Sequence, residues 1–79
     1  MAIEFAYDSS VDAMYIRLQD KPYAYGKDLD PERRVDFAAD GTPVGVELLA
    51  VSQGVNIDDL PQHVAIGRLL EEHGMKVFA

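Results

Sequence analysis

Apolar residues alternate with polar ones on both sides of the pair Asp40-Gly41, within residues 33–49. A period of two is typical of a strand with one buried face, and Asp-Gly is typical of a tight hairpin turn because both residues tolerate positive φ. A two-residue turn at Asp40-Gly41 sets Phe37 opposite Val44, Val35 opposite Val46 and Arg34 opposite Glu47. We therefore predict an antiparallel hairpin in which one register suits both faces.

Two shorter alternating runs precede this hairpin. The repeated apolar positions are Ile3, Phe5 and Tyr7 in residues 2–7, and Met14, Ile16 and Leu18 in residues 12–19. Each run predicts a strand, and the turn-forming residues 8–10 between them predict a second hairpin. Residues 20–31 contain two Pro and one Gly. They predict a loop or an irregular edge strand, because proline removes a ladder donor.

The last part of the chain changes to helical spacing. Acidic residues and Pro61 in segment 58–61 are typical of a helix N-terminus, and Gly74 is typical of a helix stop. Between them, apolar residues recur every three or four positions against polar ones. We predict a helix over residues 58–74, followed by a tail or a short final strand over residues 75–79.

Together these elements predict an α+β fold. It is a small antiparallel β-meander of three or four strands in residues 1–50, with one C-terminal helix packed on one face, and residues 1–79 form a single domain. The predicted inner face consists of Ile3, Phe5, Met14, Ile16, Leu18, Val35, Phe37, Val44, Val46 and Leu48. One helix covers one face, so the other must meet water or a second subunit. Its predicted members are Tyr15, Arg17, Arg34, Asp36 and Glu47, with Leu49 alongside.

The composition narrows the classes of function. With 7 Lys and Arg against 14 Asp and Glu, the formal charge is −7, which argues against binding to phosphate backbones. The absence of Cys excludes disulfides, thiolate metal sites and cysteine nucleophiles. No apolar run approaches the ~20 residues that cross a bilayer, and the first residues lack the features of a signal peptide. We therefore expect a cytoplasmic protein that binds neither nucleic acid nor membrane.

The five polar residues of the outer face are the one constellation that we expect to converge. Arginine beside carboxylates and a tyrosine hydroxyl can bind an anion or perform acid–base chemistry. The same residues are also ordinary cross-strand pairs on a solvated sheet. His63 and His73 are ten residues apart, which is not the i, i+4 spacing of a two-histidine metal site on a helix, and the sequence contains no nucleophile elbow or phosphate-binding loop. We therefore expect no catalytic residues, no cofactor and no metal site.

Two linked motifs run through the predicted strands. They are YDSSVDAMYIRL at residues 7–18 and VDFAADGTPVGVELL at residues 35–49. Both resemble the YuzE-like family of small bacterial proteins, which is known mainly as a domain of unknown function. The resemblance implies a small β-meander and brings no catalytic residues with it. It also implies an antitoxin-like role, because some members look like the antitoxin half of toxin–antitoxin pairs.

Two functional hypotheses follow from the sequence. The first is a non-enzymatic interaction or oligomerisation module, an acidic homodimer with a basic protein partner in an antitoxin-like role. The second is a small-ligand-binding protein or enzyme that uses Tyr15, Arg17, Asp36 and Glu47. The lack of a catalytic constellation and the negative charge favour the first hypothesis.

Overall fold

The computed structural model describes residues 3–78. Its main sheet has five antiparallel strands in the order β1-β2-β5-β4-β3. They are β1 Glu4–Asp8, β2 Ala13–Arg17, β3 Tyr25–Asp30, β4 Arg33–Phe37 and β5 Pro43–Leu49. The other elements are a single 3₁₀ turn at Val51–Gln53, the short strands β6 Val55–Asn56 and β7 Val77–Phe78, and the helix α1 His63–Glu72. The predicted α+β fold with a β-meander is confirmed, and the sheet has more strands than the three or four predicted.

The β4–β5 hairpin has the predicted register along most of its length. Two of the three predicted pairs are present, Val35 with Val46 and Arg34 with Glu47. The third is wrong, because Phe37 lies opposite Pro43 instead of Val44. The register shifts next to Asp36, where a bulge adds one residue to β5.

The turn of this hairpin has three residues instead of the predicted two. Gly41 N donates to Ala38 O at 3.0 Å, and Ala38 N donates to Thr42 O at 2.9 Å. Only Gly41 of the predicted Asp-Gly pair has positive φ, at 86°. This is a type I turn followed by a left-handed glycine, the usual geometry of a three-residue hairpin loop. Asp40 instead uses its carboxylate to accept the Thr42 amide at 3.0 Å.

The additional strand, β3, comes from residues 20–31. It pairs with β4 at one edge of the sheet, with an irregularity between Asp28 and Asp30. The Tyr25 ring stacks on Phe37 at a centroid distance of 5.2 Å, which anchors this edge to the next strand. The edge-strand alternative is therefore the right one for this segment. At the opposite edge, β1 and β2 form the predicted hairpin.

The core lies between one face of the main sheet, the inner face, and the chain that follows β5. Its buried members are Met14, Ile16, Leu18, Val35, Val46, Leu48, Val51, Val55, Ile57, Leu60, Ile66 and Leu70. Ile3 and Phe37 pack against this cluster while staying partly exposed. Two residues predicted for the inner face, Phe5 and Val44, are not part of the buried core cluster. Phe5 is 37% exposed, with its ring against His73, and Val44 is buried outside the cluster because the bulge displaces it.

The helix begins later than the predicted segment 58–61. That segment forms a turn, in which Leu60 N donates to Ile57 O at 3.0 Å, and α1 starts only at His63. Acidic residues and proline suit a turn as well as a helix start, and Asp59 is engaged by Arg33 instead of the helix dipole.

The predicted helix stop at Gly74 is confirmed. Gly74 has φ of 76° and its N donates to Glu71 O at 3.0 Å, while Met75 N donates to Leu70 O at 2.9 Å. These two bonds are those of the Schellman motif, in which a left-handed glycine reverses the chain at the helix end.

The final strand pairs within its own chain. Val55 N donates to Lys76 O and Ile57 N donates to Phe78 O, both at 2.9 Å. The segment 75–79 therefore contains a short strand, β7, which runs parallel to β6. Its last residue, Ala79, lies outside the described residues, as does Ala2 at the start of the first predicted strand.

Candidate functional site

All five candidate residues lie on the face of the main sheet opposite the core, which we call the outer face. One row across the strands is Ala6, Tyr15, Glu47, Arg34 and Asp28, and the next is Glu4, Arg17, Gly45, Asp36 and Gly26. The sequence therefore predicts correctly that Tyr15, Arg17, Arg34, Asp36 and Glu47 share one surface, because the register of β4 with β5 is right where it matters.

Asp36 is the centre of a hydrogen-bond network on this face. Its carboxylate accepts the Tyr15 hydroxyl at 3.2 Å and Arg34 Nε at 3.3 Å. Asp36 is only partly exposed, so its charge is shielded by the tyrosine on one side and the guanidinium on the other. Each of its oxygen atoms accepts a hydrogen bond from a neighbour, so the carboxylate is held in place on this face.

Arg34 extends the network to residues that the sequence analysis missed. Its guanidinium donates to Asp28 at 3.1 Å and to the Tyr23 hydroxyl at 3.2 Å. Asp28 lies directly opposite Arg34 on β3. Strand pairing would have predicted this contact, had residues 25–30 been assigned to a strand.

Two glycines make room for these side chains. A Cβ on Gly45 would collide with the end of the Tyr15 ring, and a Cβ on Gly26 would collide with the Arg34 guanidinium. Neither glycine has positive φ, so space and not backbone freedom explains their presence. The Tyr15 ring therefore lies across β5, and the Arg34 guanidinium lies across β3.

The electrostatics of the face follow from these contacts. Burial of the phenol raises the pKa of Tyr15, and the neighbouring Asp36 charge raises it further. Hydrogen bonds to Tyr23, Asp28 and Asp36 raise the pKa of Arg34. Tyr15 therefore stays protonated at neutral pH and acts as a donor, so the face has a fixed arrangement of donors and acceptors.

Arg17 and Glu47 differ from the other three candidates. Both are exposed, and neither makes a hydrogen bond or an ion pair with another of residues 3–78. They lie on the adjacent strands β2 and β5, diagonally across from each other. A positive and a negative group thus lie at diagonal positions on the outer face, and both are exposed.

A shallow depression of about 330 Å³ lies beside Arg17. It is lined by Tyr15, Arg17, Asp20, Lys21, Pro22, Tyr23 and Val44. Lys21 forms an ion pair with Asp40 at 3.0 Å, which offsets its charge. Asp36 and Glu47 do not line the depression, so the four residues of the ligand-binding hypothesis do not surround one cavity.

Neither histidine lies on the outer face, and the two have different surroundings. His73 Nδ1 lies 2.8 Å from Leu69 O, and its ring meets Phe5 edge-on at 4.4 Å. His63 is exposed in the first turn of α1. Within residues 3–78 no three His, Cys, Asp or Glu side chains are grouped so that they could hold a metal ion.

A second polar cluster, around Asp12, holds the end of the sheet together. Asp12 has φ of 54°, and its carboxylate accepts the Ser52 hydroxyl at 2.6 Å, the Ser52 amide at 3.0 Å and the Tyr7 hydroxyl at 2.9 Å. These bonds, first those from Ser52, lower the pKa of Asp12. The cluster connects β1, the β1–β2 turn and the chain after β5, so Tyr7 and Asp12 have a structural role.

A family model described as protein of unknown function (DUF2283) matches residues 4–52. The match runs from the first residue of β1 to Ser52, the partner of Asp12, and so contains the whole main sheet with its outer face. No curated protein and no solved structure matched the chain. Among residues 3–78 no helix has the length and apolar character needed to cross a membrane. Because the model covers more than half of its residues, the chain belongs to the DUF2283 family of proteins of unknown function.

Proposed function

We propose that the chain is a non-enzymatic interaction module that associates with a second copy of itself through the outer face. The proposal includes the finer expectations from the sequence: a YuzE-like bacterial protein in the cytoplasm, with a basic protein partner in an antitoxin-like role. The chain's net charge of −7 supports the choice of a basic partner, since opposite charge speeds association and disfavours wrong partners.

One observation carries the self-association. Arg17 and Glu47 are exposed groups of opposite charge at diagonal positions on β2 and β5 of the outer face. A two-fold axis that lies between them, in the plane of the contact, brings each Arg17 opposite Glu47 of the other copy. The face is therefore complementary to itself, which is the requirement for a two-fold symmetric dimer.

The rest of the outer face suits close contact. Ala6, which is exposed, lies in the strand next to Arg17 and allows another surface to approach the sheet there. The bonds from Tyr15 and Arg34 to Asp36 fix the larger side chains before association, which reduces the entropy lost on binding. Tyrosine and arginine are also enriched in protein interfaces.

The alternative is a small-ligand-binding protein or enzyme that uses Tyr15, Arg17, Asp36 and Glu47. It has less support, because Asp36 is already bonded to two neighbours and Glu47 lies outside the depression beside Arg17. Of the four residues, only Tyr15 and Arg17 line that depression.

Charge exchange tests the proposed contact. We expect Glu47→Arg to convert the dimer to a monomer, because Arg17 of each copy then lies opposite an arginine of the other copy. The double variant Arg17→Glu/Glu47→Arg should restore the dimer. Molar mass from light scattering is the measurement, and Glu71→Arg, the same charge change at an exposed position of α1, is the control. A mass that is unchanged by Glu47→Arg would contradict the proposal.

A further inference from the structure

The outer edge of β1 is an open strand edge. β1 is the terminal strand of the sheet, and all of its residues are exposed. Leu18 N donates to Val44 O at 2.9 Å, so the even-numbered residues of β2 bond to β5 and the odd-numbered ones to β1. The amides of Phe5 and Tyr7 therefore point away from the sheet. β1 also contains neither lysine nor proline, the residues that often protect such an edge.

A groove of about 760 Å³ lies between Ile3, which precedes β1, and the exposed side of α1. Half of its lining residues are apolar, namely Ile3, Val64, Ala65 and Leu69, and half are polar, namely Gln62, His63, Arg68 and Glu72; Val64 is 62% exposed. Phe5 contacts His73 just beyond the end of α1, so this end of the helix lies against the inner side of β1. A strand added to β1 would direct every second side chain to the side on which Ile3 and Phe5 lie, next to the apolar part of this groove.

The charges of β1 indicate what kind of strand would bind. Glu4 and Asp8 lie on the outer face on either side of Ala6, and neither forms an ion pair with another of residues 3–78, although the Asp8 carboxylate accepts the Ser10 amide at 3.0 Å and the Ser10 hydroxyl at 2.5 Å. Two β1 strands paired about Ala6 would set Glu4 opposite Asp8 of the other copy, and like charges at opposed positions disfavour that arrangement. A strand with basic residues at these positions places a positive charge beside both carboxylates.

We infer that the open edge of β1 binds an extended segment of a basic partner protein as a sixth strand of the sheet. The segment has lysine or arginine towards the outer face and apolar side chains, at alternate positions, towards the groove beside α1. This inference rests on the proposed function as an interaction module, but it uses the edge of β1, next to the part of the outer face around Arg17 and Glu47 that is proposed for self-association.

A peptide of ten residues in which lysine and valine alternate tests this inference. A shuffled peptide of the same composition, without alternation, is the control for charge alone. By fluorescence anisotropy we expect the alternating peptide to bind about tenfold more tightly than the shuffled one, since only it can place all its valines on one side. In hydrogen exchange followed by NMR, the amides of Phe5 and Tyr7 should gain protection, while that of Ala6, already bonded to β2, should not change.

Two variants locate the binding surface. Glu4→Lys should weaken the binding of the alternating peptide about tenfold, and Ala65→Glu should weaken it by placing a charge in the groove. Glu71→Lys, the same charge change as Glu4→Lys but away from β1, should leave the affinity nearly unchanged. Equal binding of the two peptides, or equal effects of Glu4→Lys and Glu71→Lys, would overturn the inference.

The same peptide titration on Glu47→Arg separates the two proposals. If that variant is monomeric and binds the alternating peptide, both proposals hold. A dimer that does not bind the peptide would overturn only the β1 inference. A chain that binds the peptide and is monomeric without any substitution would overturn only the outer-face contact.

Discussion

The inner and outer faces of the sheet are built from neighbouring residues and are held in place by different interactions. Leu48 is fully buried in the core, while the next residue, Leu49, is 42% exposed on the other side of β5. Apolar burial fixes the centre of the inner face, where the side chains of β2, β4 and β5 are covered by the chain that follows β5. The outer face is fixed by hydrogen bonds between side chains, and it leaves Arg17 and Glu47 open.

The two faces can also be compared through the adjacent charged residues Arg33 and Arg34 of β4. Arg33 lies on the inner side, where it pairs with Asp30 at 2.8 Å and with Asp59, and donates to Asn56 O at 2.9 Å. It therefore ties the sheet to the segment before α1. Arg34 bonds only to outer-face and edge residues, among residues 3–78. Both arginines form ion pairs, so an ion pair by itself does not mark a functional surface. Exposed charged groups without a partner, on a face whose other side chains are held in place, are better indicators of a binding surface.

The largest expected effect comes from truncating the inner face. Leu48→Ala should lower the free energy of unfolding by about 2–5 kcal/mol, because it leaves a cavity in the core. Leu49→Ala, one residue along, should change it by less than about 0.5 kcal/mol. Chemical denaturation of the two variants measures the difference, and similar losses for both would contradict the assignment of the faces.

The next largest effect should come from the space over Gly45. Gly45→Ala should cost about 1–3 kcal/mol of unfolding free energy, because the added methyl group forces the Tyr15 ring away from Asp36. In a Tyr15→Ala background the same substitution should cost clearly less, since the ring that collides is gone. Additive effects in this double-mutant cycle would show that the ring does not lie over the glycine.

A smaller effect is expected from the Tyr15 hydroxyl alone. Tyr15→Phe should cost about 0.5–1.5 kcal/mol, since Asp36 loses one donor and keeps Arg34. Tyr25→Phe is the matched control, because the Tyr25 hydroxyl makes no hydrogen bond to another of residues 3–78 while its ring still stacks on Phe37. If thermal melts show equal losses, the hydroxyl of Tyr15 contributes nothing specific.

The strands of this fold follow well from the sequence, because a period of two is a strong local signal. The alternation placed Val35 with Val46 and Arg34 with Glu47 correctly. It could not predict the three-residue turn, since Asp-Gly suits both kinds of loop. The helix start was missed for a similar reason: acidic residues and proline in segment 58–61 favour a turn and a helix N-terminus alike.

The sequence was enough to predict which residues lie on the outer face, but not the hydrogen bonds between them. Parity along the strands is enough to bring Tyr15, Arg17, Arg34, Asp36 and Glu47 to one surface. The bonds of Arg34 to Asp28 and Tyr23 depend on the path of β3, which two prolines obscure. The Asp12–Ser52 contact joins residues 40 positions apart, and no local pattern carries that information.

The smallest expected effect concerns acid stability at the end of the sheet. The pKa of Asp12 is lowered from its ordinary value of 3.8 by its bonds to Ser52 and Tyr7. A carboxylate whose pKa is lower in the folded chain than in the unfolded chain stabilises the fold at a pH above its pKa in the unfolded chain. This stabilisation is lost as the pH falls through its pKa in the folded chain. The melting temperature of Asp12→Asn should therefore fall less than that of the unmodified chain between about pH 5 and pH 2. Ser52→Ala, which keeps the backbone donor, should give an intermediate slope, and parallel curves would contradict the assignment.

Molar mass in solution, measured by light scattering on the unmodified chain over a range of concentrations, tests the central claim most directly. If the outer face is the surface for a second copy, the mass should approach twice that of one chain as the concentration rises. A mass that stays at that of one chain throughout would contradict the account and leave Arg17 and Glu47 as solvated charges on a bare sheet.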